Sequence, residues 1–289
     1  MNGVILIVKE QDWTSNDVVS KLKGILHERR IGHSGTLDPM ATGLLVVFVG
    51  RATRAVEFAE GHDKSYRAGL RLGTVTDTQD ITGTVFESNA CEVGEEELNA
   101  VLESFKGEQL QLPPMYSAIK VKGKRLYDIA RAGGEVERKL RPISIHDISL
   151  VDRVDDDYII DVSCSKGTYV RTICHDIGVK LGCGGCMSSL RRVCAGGFSV
   201  EQAHKLSEVQ RYADEGRAEE LLIPVDMLFA EYKKCSASAK DEKRIRCGNE
   251  YKTDLADGEY RVYSEAGEFL MLGRAEKGMM KTIKSFFEV

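Results

Sequence analysis

The chain has 289 residues, 42% hydrophobic and 29% charged, with a formal net charge of −5. That composition supports a packed core and excludes a disordered or low-complexity chain, and the length allows a large domain with a small one beside it, or two of similar size. The longest apolar runs, such as Leu44 to Val49, are far too short to span a bilayer, so no membrane partner is expected.

The N-terminal stretch MNGVILIVKE has no basic leader and no small-residue cleavage site. It reads as a first strand, Val4 to Val8, and not as a signal peptide, so a cytoplasmic protein is expected. Thr14 or Ser15 can cap a helix running to about Arg29, with Val18, Val19, Leu22, Ile25 and Leu26 on one face. A loop follows, then the strand Leu44 to Val49 and a short helix from Thr53. Tyr66 to Leu72 alternates as a strand, TDTQDITG is a polar loop, and Thr84 to Glu87 is a strand. Glu95 to Phe105 is an amphipathic helix. Pro113-Pro114 forces an extended entry to a short helix at Leu126, Ile129 and Ala130, which stops at Gly133-Gly134. Ile143 to Val151 and Tyr158 to Ser163 read as strands, Thr168 to Leu181 as a helix, and residues 201–230 hold helical segments. Short strands such as Tyr260 to Tyr263 and Phe269 to Leu272 follow. A boundary near Glu231 therefore divides domain 1–231 from a small β-rich domain, 232–289. Strands and helices mix without a regular βαβ alternation and without an internal repeat, which predicts an α+β fold with a largely antiparallel sheet.

Charge is segregated. Between Lys120 and Arg141 eight basic residues face three acids, a net +5, which leaves −10 for the remainder. Between Glu201 and Glu231 eight acids face three bases. One basic working face on an otherwise acidic surface suits a polyanionic partner, and a plain solvated basic loop is the other reading. The eight cysteines do not form a small disulfide scaffold and are expected to be thiols in a reducing compartment. Cys183-Gly-Gly-Cys186 could be half of a zinc site or a redox pair. No second CxxC accompanies it, and metal is not expected.

Two stretches carry candidate chemistry. In RIGHSGTLDPMATGLLVVFVG, Arg30 to Gly50, Asp38 precedes Pro39, which pushes it into an extended conformation. Gly32, Gly35 and Gly43 allow tight turns around it. Asp38 is either a turn residue or a carboxylate held in one direction, and His33 is either a satisfied loop histidine or part of the same site. In SCSKGTYVRTICHDIGVKLG, Lys166-Gly167-Thr168 turns into a helix with Arg171 in its first turn. An arginine there opposes the helix dipole and calls for a carboxylate partner, for which Asp38 would serve; an ordinary surface arginine is the alternative. Tyr66 is a core aromatic unless it faces the same cleft.

These stretches occur in an order that resembles the TruB-type tRNA pseudouridine synthases. GHSGTLDPMATGLL, KSYRAGLRLGTVTDTQDITG, LQLPPMYSAIKVKGKRLYDIAR, CSKGTYVRTICHDIGVKLGCGG and SSLRRVCAGGF carry the match over most of residues 3–200. The resemblance implies the pseudouridine synthase α+β fold with a mixed, mostly antiparallel sheet and a small PUA-like tail. It implies conversion of uridine 55 in the tRNA T loop to pseudouridine: the C1′–N1 bond breaks, the base rotates and C5 joins C1′, with no cofactor or metal. Asp38 matches the catalytic aspartate, Tyr66 the tyrosine that stacks on the base, Arg171 the arginine paired with the aspartate, and Leu190 a hydrophobic pocket residue. His33 matches the histidine that holds the T loop with its base flipped out, and Tyr169 also falls at the substrate. The segment at about 108–141 matches an RNA-clamping insert. RNA contacts are then expected from Arg54, Lys64, Lys120, Lys122, Lys124, Arg125 and Lys166. Flipping exposes a stacked base to chemistry, aromatic faces stack on it and basic side chains hold the backbone. The basic insert favours stand-alone action without guide RNA, and a monomer is expected. An RNA chaperone without chemistry and a small-molecule enzyme are the competing readings. The chain departs from the family at Lys9-Glu10, where Lys-Pro is frequent, and at GCGGC, where GCGAH is frequent.

Overall fold

The computed structural model describes residues 1–117, 119–121 and 123–287. The chain opens with β1 (Gly3–Lys9), α1 (Ser15–Leu26), β2 (Ile31–Ser34) and β3 (Thr42–Val49). Strands β1 and β3 pair antiparallel from Gly3↔Val49 to Lys9↔Gly43. Alternate residues of a strand face opposite ways. Ile5, Ile7, Leu45 and Val47 therefore meet Val18, Leu22 and Leu26 of α1, while Val4, Leu6, Leu44, Val46 and Phe48 enter a second core. Of the two candidate caps of α1, Thr14 does the capping: its hydroxyl accepts from the Asp17 amide at 3.1 Å, and its own amide donates to Asp17 at 2.9 Å. The helix ends before Arg29 because His27 takes a left-handed conformation.

Next come α2 (Val56–Glu60), β4 (Lys64–Leu72), β5 (Thr74–Thr76), β6 (Val85–Ser88), α3 (Glu95–Glu103) and β7 (Gly107–Gln111). The basic segment contributes the hairpin β8 (Lys120–Val121) and β9 (Lys124–Arg125), then α4 (Leu126–Arg131). The long strands β10 (Arg141–Val154) and β11 (Asp157–Cys164), α5 (Val170–Lys180), β12 (Gly185–Ala195), β13 (Phe198–Ser199) and α6 (Leu206–Asp214) complete this half. Among the described residues the main sheet has nine strands and runs β1-β3-β12-β4-β11-β10-β7, with β2 on β3 and β13 on β12. Its one parallel pairing is short, Arg191↔Thr42 and Arg192↔Gly43. Helices α3 and α5 cover one face through Leu98, Leu102, Val170, Ile173 and Ile177 against Leu70, Ile145, Ile160 and Val162. No helix among the described residues is long and apolar enough to cross a membrane.

A second sheet, β14-β16-β17-β18-β15, is built from β14 (Lys233–Ser236), β15 (Tyr251–Lys252), β16 (Gly258–Tyr263), β17 (Phe269–Glu276) and β18 (Met279–Ser285), with α7 (Ala239–Arg246) beside it. It is joined to the main body by an aromatic cluster. The Phe229 ring centroid lies 5.2 Å from that of Phe58, edge to face, and 6.1 Å and 5.7 Å from those of Phe269 and Phe286, tilted against both. Arg54 donates to the Ser285 carbonyl at 3.0 Å, and Lys284 pairs with Glu57.

Not all eight cysteines are thiols, contrary to the expectation from sequence. Cys91 and Cys183 form a disulfide with Cα atoms 6.0 Å apart, and the other six are free. The two lie 92 residues apart in the chain. A redox pair of Cys183 with Cys186 is one reading of the CxxC spacing, and the fold instead places Cys91 beside Cys183.

Three buried side chains fix the segment between β2 and β3. Lys9 is fully buried, and its ammonium donates to the carbonyls of Glu10, Trp13 and Pro39 at 3.0, 2.6 and 3.1 Å. The Ser15 hydroxyl, left free by Thr14, accepts from the Leu37 amide at 2.9 Å. Arg192, reaching across from β12, donates to the carbonyls of Leu44 at 2.7 Å and Gly35 at 3.0 Å. The backbones of β3 and β12 touch at Gly43, where φ is +96° and a Cβ would sit 2.3 Å from the Arg192 carbonyl oxygen. Gly43→Ala should therefore lower the thermal midpoint by roughly 5–10 °C. Gly24→Ala, in α1 with open space around the added carbon, should leave it unchanged or raise it, and thermal unfolding of the two variants side by side checks this. Burial pushes the Lys9 ammonium down to about 8, opposed by the nearby Asp38 carboxylate. In the window from about 8 to the ordinary lysine value near 10.5 the unfolded chain holds more protons, so this group's contribution to stability rises with pH. The stability difference between wild type and Lys9→Met, measured by urea unfolding, should grow in favour of wild type between pH 7.5 and 10.

Candidate active site

The amide of Tyr169, the residue before α5, donates to Gln111 at 2.8 Å, and its carbonyl accepts from the same side chain at 3.0 Å. Gln111 is buried at the end of the edge strand β7, so the sheet fixes where α5 begins. Arg171 then falls in the first turn of α5, with its side chain 8% exposed. A guanidinium buried at that end of a helix needs anionic partners, and Arg171 has two. Nη2 donates to Asp38 Oδ2, and Nη1 donates to Asp80 Oδ2 at 3.4 Å.

The two carboxylates differ in what surrounds them. Asp80 is held in a cage of threonines. Its Oδ1 accepts from the Thr78 hydroxyl at 2.9 Å and from the Thr82 amide and hydroxyl at 3.0 and 2.6 Å, while its carbonyl accepts from the Thr76 hydroxyl at 2.8 Å. The turn that carries it is seated on β12: the Ile81 amide donates to the Met187 carbonyl at 2.8 Å, and the Met187 amide to the Gln79 carbonyl at 3.0 Å. The Asp80 side chain is 5% exposed and that of Asp38 is 39% exposed, so Asp38 is the carboxylate that can meet another molecule. The Asp38 carbonyl accepts from the Ala41 amide at 3.0 Å, and the Lys9 and Ser15 bonds lie on either side of it. Sequence reading passed over Asp80, Lys9, Gln111 and Arg192. The threonines two residues before and after Asp80 were the one local signal, in a stretch read only as a polar loop.

Tyr66 and Leu190 complete the surroundings of Asp38. Leu190, on β12 opposite Ala68 of β4, is 9% exposed and belongs to the same core cluster as Leu37 and Ala41, against which Tyr66 and Met40 pack. Burial raises the Tyr66 phenol above its ordinary value, Arg192 opposes that shift, and the Asp38 charge adds to it. His33 lies on β2 opposite Val47, not on a loop. Burial, then the Arg192 charge, lowers its pKa, and its Nδ1 has no hydrogen-bond partner among the described residues. Burial followed by Arg192 lowers Lys64 as well, and its ammonium donates to the Glu60 carbonyl at 3.1 Å. Thus Asp38, Arg171, Tyr66 and Leu190 come together, with His33 and Lys64 linked to them through Arg192.

The other residues singled out from sequence lie apart. Lys166 is exposed in the turn before α5, and the Tyr169 side chain is half-buried at its start. Arg54 is engaged at the junction with the second sheet. Lys124 is exposed on β9, Lys120 and Arg125 fall in the same hairpin, and Lys122 lies outside the described residues. Cys186 is buried inside β12 and Cys183 is paired with Cys91.

Two family models match adjoining stretches of the chain: the TruB family pseudouridylate synthase N-terminal domain over residues 23–170 and the tRNA pseudouridylate synthase B C-terminal domain over residues 171–230. The tRNA pseudouridine synthase B of Clostridium tetani is 42% identical, with 98% of this chain and 99% of that protein covered. That of Syntrophotalea carbinolica is 44% identical over 86% of this chain and 81% of its own length. In three dimensions the chain is similar to the crystal structure of a Cbf5-Nop10-Gar1 complex, at a TM-score of 0.74 and 25% identity over 99% of this chain and 85% of that one. It has the same fold as a chain in an H/ACA RNP bound to a substrate RNA, at a TM-score of 0.74 and 23% identity over 99% and 85%. The α+β sheet, the aspartate offered beside a buried arginine and these likenesses agree, and the chain belongs to the TruB family of tRNA pseudouridine synthases, isomerases that make pseudouridine in tRNA.

Proposed function

We propose that the protein isomerises uridine 55 in the T loop of tRNA, acting alone, with Asp38 as the reacting group. The observation that carries this reading is the pairing of Arg171 with two carboxylates, of which Asp38 alone is open. One Asp38 oxygen is occupied by the guanidinium, which leaves the other to meet the flipped nucleotide. The C1′–N1 bond breaks, the base turns while held in the pocket, and C5 bonds to C1′; the C5 proton leaves last. Both attack by Asp38 and removal of a ribose proton to give a glycal satisfy this sequence. Tyr66 stacks on the base, Leu190 closes the pocket wall, and Tyr169 lies at its rim. His33, its pKa lowered by burial, offers a neutral ring to the T loop. Arg171 positions Asp38 and moves no proton. No step calls for a cofactor or metal.

The hairpin β8–β9 and its flanks clamp the T stem through Lys120, Lys122, Lys124 and Arg125, with Lys64 and Lys166 on the body. Arg54 contributes at the junction with the second sheet, which we read as a small PUA-like RNA-binding domain over residues 232–289, following a catalytic domain over 1–231. The enzyme is read as a cytoplasmic monomer that needs no guide RNA, since the basic insert supplies its own hold on the substrate.

With a tRNA transcript tritiated at C5 of uridine, wild-type protein should release one equivalent of tritium without guide RNA or metal, and none when the T-loop uridine is replaced. Asp38→Asn should release none while its tRNA affinity stays within about threefold of wild type, a difference below 1 kcal/mol; a parallel loss of binding would give Asp38 a structural role instead. Neutralising Lys122, Lys124 and Arg125 together should weaken tRNA binding and reduce the slope of log affinity against log salt by about 2, which filter binding across a salt series measures.

A further inference from the structure

The arm that carries Asp80 is fastened unequally at its two ends. It leaves the main sheet at Gly73, whose amide donates to the Gly184 carbonyl at 2.9 Å. Its return leg, β6, pairs only with β5, and all four residues of β6 are exposed. The return leg meets the base again where the Asn89 amide donates to the Gly73 carbonyl at 2.8 Å, and Cys91 follows. Cys183 directly precedes Gly184, in the turn that leads into β12. The Cys91–Cys183 bond therefore joins the loose leg of the arm to the turn that already holds its fixed leg.

We propose that Cys91 and Cys183 form a reversible redox site that fastens and releases this arm. Both are partly exposed, so an oxidant in solution can reach them. The neighbouring cysteines cannot compete. Cys186 and Cys174 are fully buried, and burial pushes the Cys186 thiol up to about 11 and that of Cys174 higher still. The Cα separation of 6.0 Å lies in the range a disulfide spans without moving the backbone. Hydrogen peroxide supplies the oxidation. One thiolate attacks the O–O bond and becomes a sulfenic acid; the second thiolate displaces its hydroxyl, so two thiols lose two electrons and the peroxide leaves as two waters. Reduction by an exchanging dithiol returns both thiols and leaves the dithiol as its own disulfide. The released arm keeps the Gly73–Gly184 and Asn89–Gly73 bonds, the two bonds to Met187 and the threonine cage, but loses the covalent tie on its return leg. Asp80, and through it the seat of Arg171, then rests on the hydrogen bonds to Met187 and no longer on a covalently closed ring. This site stands on the fold and the cysteine positions, independently of which uridine is modified.

The test uses the full chain, reduced with dithiothreitol or treated with hydrogen peroxide, and compares wild type with Cys91→Ser and Cys183→Ser. Peptide mapping of the oxidised wild type should recover a Cys91–Cys183 linked pair that dithiothreitol removes. Amide hydrogen exchange over residues 74–90 should be at least about fivefold slower in the oxidised than in the reduced wild type. In both serine variants peroxide should leave that exchange unchanged. Linkage of Cys183 to Cys186, absence of any linked pair, or equal exchange in the two redox states of the wild type would each overturn the proposal.

Discussion

One guanidinium shared by two carboxylates is the constraint around which the rest is arranged. A buried arginine costs several kcal/mol unless its charge is met, and breaking such a contact from one side is more costly than never making it. Arg171 is met from positions 133 and 91 residues away in the chain. Each partner arrives on a different device. Asp80 comes on a turn whose threonines consume its second oxygen, and Asp38 comes on a segment strapped by Lys9, Ser15 and Arg192. The arginine is thus saturated on one side by a group that can do nothing else, and on the other by a group with a free oxygen. Environment, not residue type, separates the structural carboxylate from the available one.

The second constraint is the close approach of β3 and β12. Their parallel contact is only two residue pairs long, and it works because Gly43 presents no side chain to the Arg192 backbone. The same Arg192 turns its side chain under the Asp38 segment, so one residue uses its backbone to join two strands and its side chain to shape the loop between β2 and β3. Its charge also acts at a distance. After burial, which is the larger cause, it further disfavours the charged forms of His33, Lys64 and Lys9.

Much of this was readable from residues. The positions of α1, β4 and β11 were legible to within a few residues because each buries one clean face, and those of β1 and β3 because each is a short continuous apolar run buried on both faces. The Asp-Pro step and the dipole argument at Arg171 pointed to the pairing that the fold makes. Several strands escaped, and three of them show why. β12 contains GCMSSLRRVCA, with two arginines at its centre and bulges at Met187/Ser189 and Arg192/Cys194 that break the period of two. β2 looked like a loop because glycine and histidine dominate it, and its pairing with β3 is a tertiary fact. The edge strand β7, GEQLQ, has little apolar pattern of its own. Lys9 and Asp80 were passed over for a shared reason: a charged residue in a strand or polar loop reads as solvated until the partners that bury it are known. The disulfide was misjudged likewise, because its two halves are neighbours only in space.

The sheet order has a consequence for how the molecule comes into being. Neighbouring strands in space are far apart in the chain: β12 must slot between β3 and β4, and β1 is bordered by backbone from His204 and Ile223. A ribosome delivers β1, β3 and β4 long before the strand that separates them, so early pairing of β3 with β4 is a ready error. The segment bearing Asp38 emerges first and waits for its partner until α5 and β12 follow. During synthesis the pairing of Asp38 with Arg171 therefore waits until most of the main sheet has been made, although Asp38 is among the first residues to emerge.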